Sequence, residues 1–280
     1  MRLAGLIRLT HPFPSILDGV VVALIAIVAG GGALDAVRLG LAMTALQASI
    51  GALNDVVDAP RDRGLKPGKP IPAGVVSLDE ARIVVAVATA VGLFLAAPSG
   101  LATVALGAVV LAIGYLYDVR LRGTPWSWVP FAVGIPLLPV FGWLGATGSL
   151  PSSFVLLVPA AVLTGGALAV ANARADYERD VAAGVQSVAT ALGLGRSWAV
   201  HAALLAIVLA IAVATLATTD VSEVAGVAAI VAVALTAAGM GAGRSGGPAV
   251  RERAWELEAV GVGLLATAWL AGVAGRGTLT

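Results

Sequence analysis

The chain alternates between long runs almost free of charge and short stretches where its charges gather, and that alternation limits what it can fold into. Nine apolar runs can be traced, at roughly 14–33, 38–58, 78–97, 100–118, 126–147, 153–175, 197–218, 221–241 and 254–274. Each is about the length an α-helix needs to cross the hydrocarbon core of a bilayer. A lone segment there must be helical, because only a helix satisfies its own backbone hydrogen bonds. Composition agrees: 59% of residues are hydrophobic and 12% charged, where a soluble domain carries about 25% charged residues. The expected fold class is all-α, an integral membrane bundle of nine transmembrane helices with short polar loops on the cytoplasmic side. It is read as one domain over 1–280 with two pseudo-repeated parts, about 1–118 and 119–280. Arg2 and Arg8 ahead of the first run look like the start of a signal peptide, but Asp18 interrupts that run and eight more follow, so it is read as a retained helix.

The basic residues decide the expected orientation. Of 17 lysines and arginines, 15 lie at the N-terminus or in the connections after the second, fourth, sixth and eighth runs; only Arg38 and Arg276 lie on the other side. The positive-inside rule then places the N-terminus and these connections in the cytoplasm and the C-terminus outside a cell membrane. The lipid bilayer is one expected partner, and no nucleic-acid partner is expected. Cysteine is absent and histidine is limited to His11 and His201, which excludes disulfides and thiolate sites and disfavours imidazole-based metal sites.

Against this apolar background, residues 52–62, "ALNDVVDAPRD", gather Asn54, Asp55, Asp58 and Asp62 at the cytoplasmic end of the second run. Ionised groups at the edge of a membrane segment mark a candidate functional site. A helix cap would account for any one of them, but not for the recurrence of their spacing in the second half of the chain. Residues 172–180 read "NARADYERD", so Asn172, Asp176 and Asp180 repeat the spacing of Asn54, Asp58 and Asp62 at a distance of 118 residues, and Arg179 matches Arg61. The spacing i, i+4, i+8 keeps such residues near one helical face. Pro60 lies inside the first set, so the helix is expected either to kink there or to end, with Asp62 supplied by a loop.

Hard oxygen ligands from Asp and Asn suit Mg²⁺, which keeps waters and substrate phosphates in its shell. Two acidic sets would place Mg²⁺ around a diphosphate, nearby Arg and Lys would neutralise the remaining phosphate charge, and the apolar helices would hold an isoprenoid tail. A carboxylate-lined cation transporter is the outside alternative, and it would need charge at mid-membrane depth that the sequence does not show.

The same residues carry a family resemblance. "NDVVDAPRD" resembles the first Asp-rich motif, N-D-x-x-D-x-x-x-D, of the UbiA superfamily of intramembrane prenyltransferases, and "DYERDVAAG" its second, D-x-x-x-D followed by a Gly, here Gly184. "KPIPAG" at 69–74 is similar to that family's R-P-I-P-x-G, with Lys69 where Arg is usual. "YDVRLR" at 117–122 is similar to its Y-x-x-x-L-K, with Arg122 where Lys is usual, and "RLTHPFPS" at 8–15 resembles the opening of its first helix. The resemblance implies nine helices and a Mg²⁺-dependent transfer of a polyprenyl group from a polyprenyl diphosphate donor. It implies Asn54, Asp58, Asp62, Asp176 and Asp180 as metal ligands, the four aspartates as catalytic, and Arg8, Arg63, Lys69 and Arg122 as donor-binding. One of Tyr115 and Tyr117 could offer its ring to an allylic cation; both could equally be interfacial belt residues. The leading acceptor is a small aromatic or quinone precursor. The alternatives within the fold are a lipid acceptor such as a glycerol phosphate, a phosphoribosyl donor as acceptor, or cyclisation of the prenyl chain. Gly134, Pro130, Pro136 and Pro139 are expected to interrupt the fifth run, either to line substrate or for packing alone.

Overall fold

The computed structural model describes residues 2–62 and 68–274, and among these it contains helices and turns but no strand. The helices are α1 (Arg2–Leu9), α2 (Pro12–Val28), α3 (Ala33–Asp62), α4 (Leu78–Ala96), α5 (Leu101–Leu116), α6 (Val129–Gly134), α7 (Leu137–Thr147), α8 (Phe154–Ala175), α9 (Tyr177–Ala182), α10 (Val188–Leu192), α11 (Leu194–Leu216), α12 (Glu223–Ser245) and α13 (Pro248–Ala274). Eight stretches among the described residues are long and apolar enough to span a membrane. The first two helices would make a ninth only if counted together across a 57° bend. The first apolar run is thus a shorter helix than expected. His11, held at φ 48, breaks the chain between α1 and α2, and Pro12 then opens α2. The break expected in the fifth run is found at Ile135–Pro136, between α6 and α7.

The chain divides into two compact units, one taking in Met1–Arg120 and Val140–Ser149, the other Leu121–Pro139 and Leu150–Thr280. In the first unit α3 packs along both α2 and α4, and in the second α12 lies along α13 while α8 packs on α6, α11 and α13. Helices in lipid gain little from hiding apolar surface from one another, so close backbone approach supplies much of the packing energy. Large apolar side chains such as Leu34, Phe94, Leu101, Val155 and Val224 are correspondingly left on the outside, each more than 70% exposed. This is an integral membrane protein.

Close approach is marked between α12 and α13. A Cβ on Gly261 would lie 2.9 Å from the Thr236 backbone nitrogen and 3.0 Å from the Ala232 carbonyl oxygen. Gly226, on α12, has open space at the same position. Gly261→Val should therefore destabilise the detergent-solubilised protein by about 1–3 kcal/mol, the usual range for overpacking, whereas Gly226→Ala should leave its thermal unfolding unchanged or slightly raised.

Candidate functional site

In the first unit α3 runs unbroken to Asp62, passing through Pro60. Sequence left open whether the helix kinked or ended there. The missing proline amide removes a single backbone bond, and it falls in the last turn, where carbonyls already seek partners outside the helix. Asn54, Asp58 and Asp62 therefore share one helical face, all buried, and Asp55 beside them is only 3% exposed.

What makes this burial tolerable is a lysine from the following loop. Lys69 Nζ lies 2.8 Å from Asp55 Oδ1 and 2.8 Å from Asp62 Oδ2, with Asp58 Oδ2 at 3.5 Å. Burial by itself would push this ammonium down, but hydrogen bonds to Asp55 and Asp62, with the charge of Asp58 behind them, hold it above the usual lysine value. His11 Nε2 reaches the same Asp55 Oδ1 at 3.1 Å, its ring packed on Gly51 one turn earlier on α3. Asn54 donates from Nδ2 to Asp118 Oδ1 at 2.8 Å, which commits its nitrogen and turns its oxygen into the free acceptor. The set is all oxygen and already converges on a cation, so its chemistry fits Mg²⁺. Among the described residues no three carboxylate or imidazole groups stand at metal-ligand spacing as they are arranged, since the first set closes on the ammonium.

The other residues expected in this unit are spread more widely. Arg8 is exposed on α1, with its guanidinium beside Gly68, the neighbour of Lys69. The Tyr115 hydroxyl stands 2.8 Å from both Ser49 Oγ and Thr89 Oγ1, a polar knot joining α5 to α3 and α4. Tyr117, half-buried, opens a π-helical turn, Tyr117–Leu121, in which Asp118 is buried. Arg63 lies outside the described residues.

The second unit builds its acidic set differently. Asn172 is in the last turn of α8, but the helix stops at Ala175. Asp176, at φ −95° and ψ 2°, then starts the short α9, so the two sets share a spacing without sharing a backbone. Asp180 follows on α9, its amide bonded to the Asp176 carbonyl at 2.8 Å. Gly184, at φ 67°, closes α9 in a left-handed cap, and the Val185 amide returns to the Asp180 carbonyl at 2.9 Å. This is the conformation that makes a glycine after the second motif useful. Burial pushes the Asp180 carboxyl up, and the charge of Asp176 adds to that; a Ser187 hydrogen bond and the charges of Arg122 and Arg179 oppose it without cancelling it. The charge of Arg122 thus reaches Asp180. Asp176 itself pairs with Arg179 at 2.9 Å, both side chains well exposed, so that ion pair contributes little.

Sequence reasoning assigned no role to His11, Asp55, Asp118, Glu178, Arg174 or Arg251. All but Arg251 were visible inside the quoted stretches. Arg251 gave no signal, lying 73 residues from the glutamate it pairs with.

An all-helical membrane protein with oxygen-rich acidic sets at its helix ends is the class that fold and site define. The chain belongs to the UbiA prenyltransferase family, whose profile matches residues 19–246. It is 34% identical over 163 residues to a digeranylgeranylglyceryl phosphate synthase of Methanopyrus kandleri, covering 57% of this chain and 58% of that one. It is 33% identical over 127 residues to the Methanoculleus marisnigri synthase of the same name, covering 45% of each. The matched regions thus span about half the length of these curated relatives. Among solved structures, a UbiA homologue from Aeropyrum pernix superposes with a TM-score of 0.71 at 22% identity, over 90% of this chain and 96% of that one. A UbiA homologue from Archaeoglobus fulgidus bound to GPP and Mg²⁺ gives 0.72 at 17%, over 95% and 99%. These likenesses establish the shared fold.

The raised Asp180 carboxyl has a consequence for stability. A carboxyl with a higher pKa folded than unfolded destabilises the fold when ionised, fully so above its folded pKa, and the effect vanishes as pH falls below the unfolded value of about 3.9. Asp180→Asn should therefore raise the melting temperature by a few degrees at neutral pH in chelator, and the gain should shrink as pH is lowered toward 4.

Proposed function

We propose that this protein is an intramembrane prenyltransferase that moves a polyprenyl group from an allylic diphosphate to the hydroxyl of a lipid glycerol phosphate. The observation that carries the reading is the pair of acidic sets, Asn54, Asp58 and Asp62 in one unit and Asp176 and Asp180 in the other, within a chain of this family. The two synthases that share a third of their aligned residues with it support a glycerol phosphate acceptor over the aromatic one that sequence alone favoured. The Archaeoglobus homologue bound to GPP and Mg²⁺ supports the donor class and the metal.

On this reading both acidic sets are Mg²⁺ ligands. Bound Mg²⁺ would draw charge from the diphosphate as the bond between prenyl C1 and its oxygen breaks. The acceptor hydroxyl oxygen forms the new bond to C1 as the diphosphate leaves, and its proton passes to water or to the departing diphosphate. Asn54 presents its oxygen because Asp118 holds its nitrogen, and Asp58 and Asp62 turn their carboxylates toward Lys69. Lys69 and Arg122 carry charge that can pass to phosphate oxygens, and Arg8 stands at the edge of the Lys69 loop. Tyr115 has its hydroxyl tied to Ser49 and Thr89, which fixes its ring.

Purified protein given geranylgeranyl diphosphate and Mg²⁺ should prenylate geranylgeranylglyceryl phosphate in preference to a hydroxybenzoate. Asp58→Ala and Asp176→Ala should each lower turnover by orders of magnitude without loss of fold, and chelator should abolish it. Preferential prenylation of the aromatic acceptor would overturn the acceptor assignment, and full activity in either variant would overturn the metal assignment.

The basic residues support a cytoplasmic N-terminus and cytoplasmic acidic sets in a cell membrane. Cysteines introduced at Ser77 and Ser245 should be labelled from the cytoplasmic side, and one at Ser99 from outside. The reverse pattern would place the chemistry at the other leaflet.

A further inference from the structure

The break between α8 and α9 carries Asp176, and it is held by an arginine far away in sequence. Arg251, in the first turn of α13, is 6% exposed. Its Nε donates to the Arg174 carbonyl at 2.7 Å, in the last turn of α8. A second guanidinium nitrogen pairs with Glu178 on α9, and the third donates to the Gly246 carbonyl at 2.8 Å. One side chain therefore grips the chain on both sides of Asp176. Carbonyls in the last turn of a helix have no partner within it, so the guanidinium replaces the bond that a continued helix would have made.

Arg174 strengthens the anchor. It is 3% exposed, and it donates to the Ser197 hydroxyl at 3.0 Å and the Gly243 carbonyl at 2.9 Å, with a further bond to the Leu194 carbonyl. The end of α8 is thereby fastened to α11 and α12. Two guanidiniums buried side by side are costly unless their donors are satisfied, and here carbonyls and Glu178 satisfy them. Ordinary packing does not require this arrangement; an apolar contact would join the helices at lower cost. Glu178 is half-exposed, and its carboxylate accepts from the buried Arg251 guanidinium.

We infer that Arg251 is a positioning residue for the second acidic set. Bound to the Arg174 carbonyl on one side and to Glu178 on the other, it sets the angle between α8 and α9. It thereby sets the direction in which Asp176 and Asp180 present their carboxylates to a divalent cation. The inference rests on the proposed role of that set as Mg²⁺ ligands. Arg is needed because three donors must diverge in one plane, which a lysine ammonium does not offer.

The test uses the full chain in detergent and three readouts. The variants are Glu178→Gln, which is half-exposed and should fold, and Arg251→Lys, which keeps the charge. Arg253→Gln, at an exposed pair with Glu256 on the same helix, is the control. Amide exchange over residues 174–183 should quicken in both variants and not in the control. Mn²⁺ titration followed by electron paramagnetic resonance should show about tenfold weaker binding, in the range expected when the partner of a metal ligand is lost. In an Asp176→Ala/Asp180→Ala background, where both carboxylates of the set are gone, Glu178→Gln should weaken Mn²⁺ no further. Unchanged exchange in both variants would overturn the staple. Faster exchange with unchanged Mn²⁺ affinity, or an equal loss in the Asp176→Ala/Asp180→Ala background, would overturn the positioning role. A wild-type protein that binds Mn²⁺ in this way but transfers no prenyl group would overturn the proposed function and leave the inference standing.

Discussion

An ionised side chain at the end of an apolar helix has to find partners before it can be buried, because removing it from water without them costs several kcal/mol. That requirement organises both halves of this protein. In the first unit four buried polar side chains on α3 are made tolerable by Lys69, His11 and Asp118, with Lys69 touching three of the carboxylates. In the second the carboxylates stay partly in water, and the buried charges are arginines satisfied by helix-end carbonyls. The two solutions have opposite electrostatic polarity.

Those solutions differ because the backbones differ. Asn54, Asp58 and Asp62 sit on one continuous helix, and the carboxylates of Asp58 and Asp62 converge on the Lys69 ammonium. Asn172, Asp176 and Asp180 are divided by a helix break, so their directions depend on what holds the break. An identical spacing thus gives a rigid, charge-compensated face in one case and a hinged, solvated one in the other. The raised carboxyl of Asp180 belongs to the second kind: burial and the charge of Asp176 outweigh the Ser187 hydrogen bond and the charges of Arg122 and Arg179. A carboxylate kept at such a cost is better suited to a ligand than to a fold.

The fit of the first set to Mg²⁺ follows from the same balance. An ammonium and a hydrated divalent cation make similar demands on carboxylates, namely negative charge and oxygen lone pairs. A site able to bury three carboxylates around Lys69 has met the main electrostatic condition for holding a metal. The hydrogen bond from Asn54 to Asp118 adds direction, because it removes the asparagine's donors from the face that a cation would use.

Much of this was written in the chain. Apolar runs of membrane-spanning length forced helices, since lipid offers the backbone no other partner, and prolines at 130, 136 and 139 announced the broken fifth run. The acidic spacing and its repeat pointed to both sets, and on α3 residues four apart share a face, whereas the break at Asp176 divides the second set. The first helix was misjudged in length, for it ends at Val28 and the chain turns at Gly30, at φ 88, a turn that leaves no trace in hydropathy. Only the tertiary structure decided that α3 carries through Pro60 to Asp62, that Lys69 joins the carboxylates, and that Arg251 reaches Glu178. Each of these is a meeting of residues distant in sequence or a balance between a lost hydrogen bond and the packing around it. Periodicity records which face a residue occupies along its own helix; the charge it finds opposite depends on how the other helices come to rest.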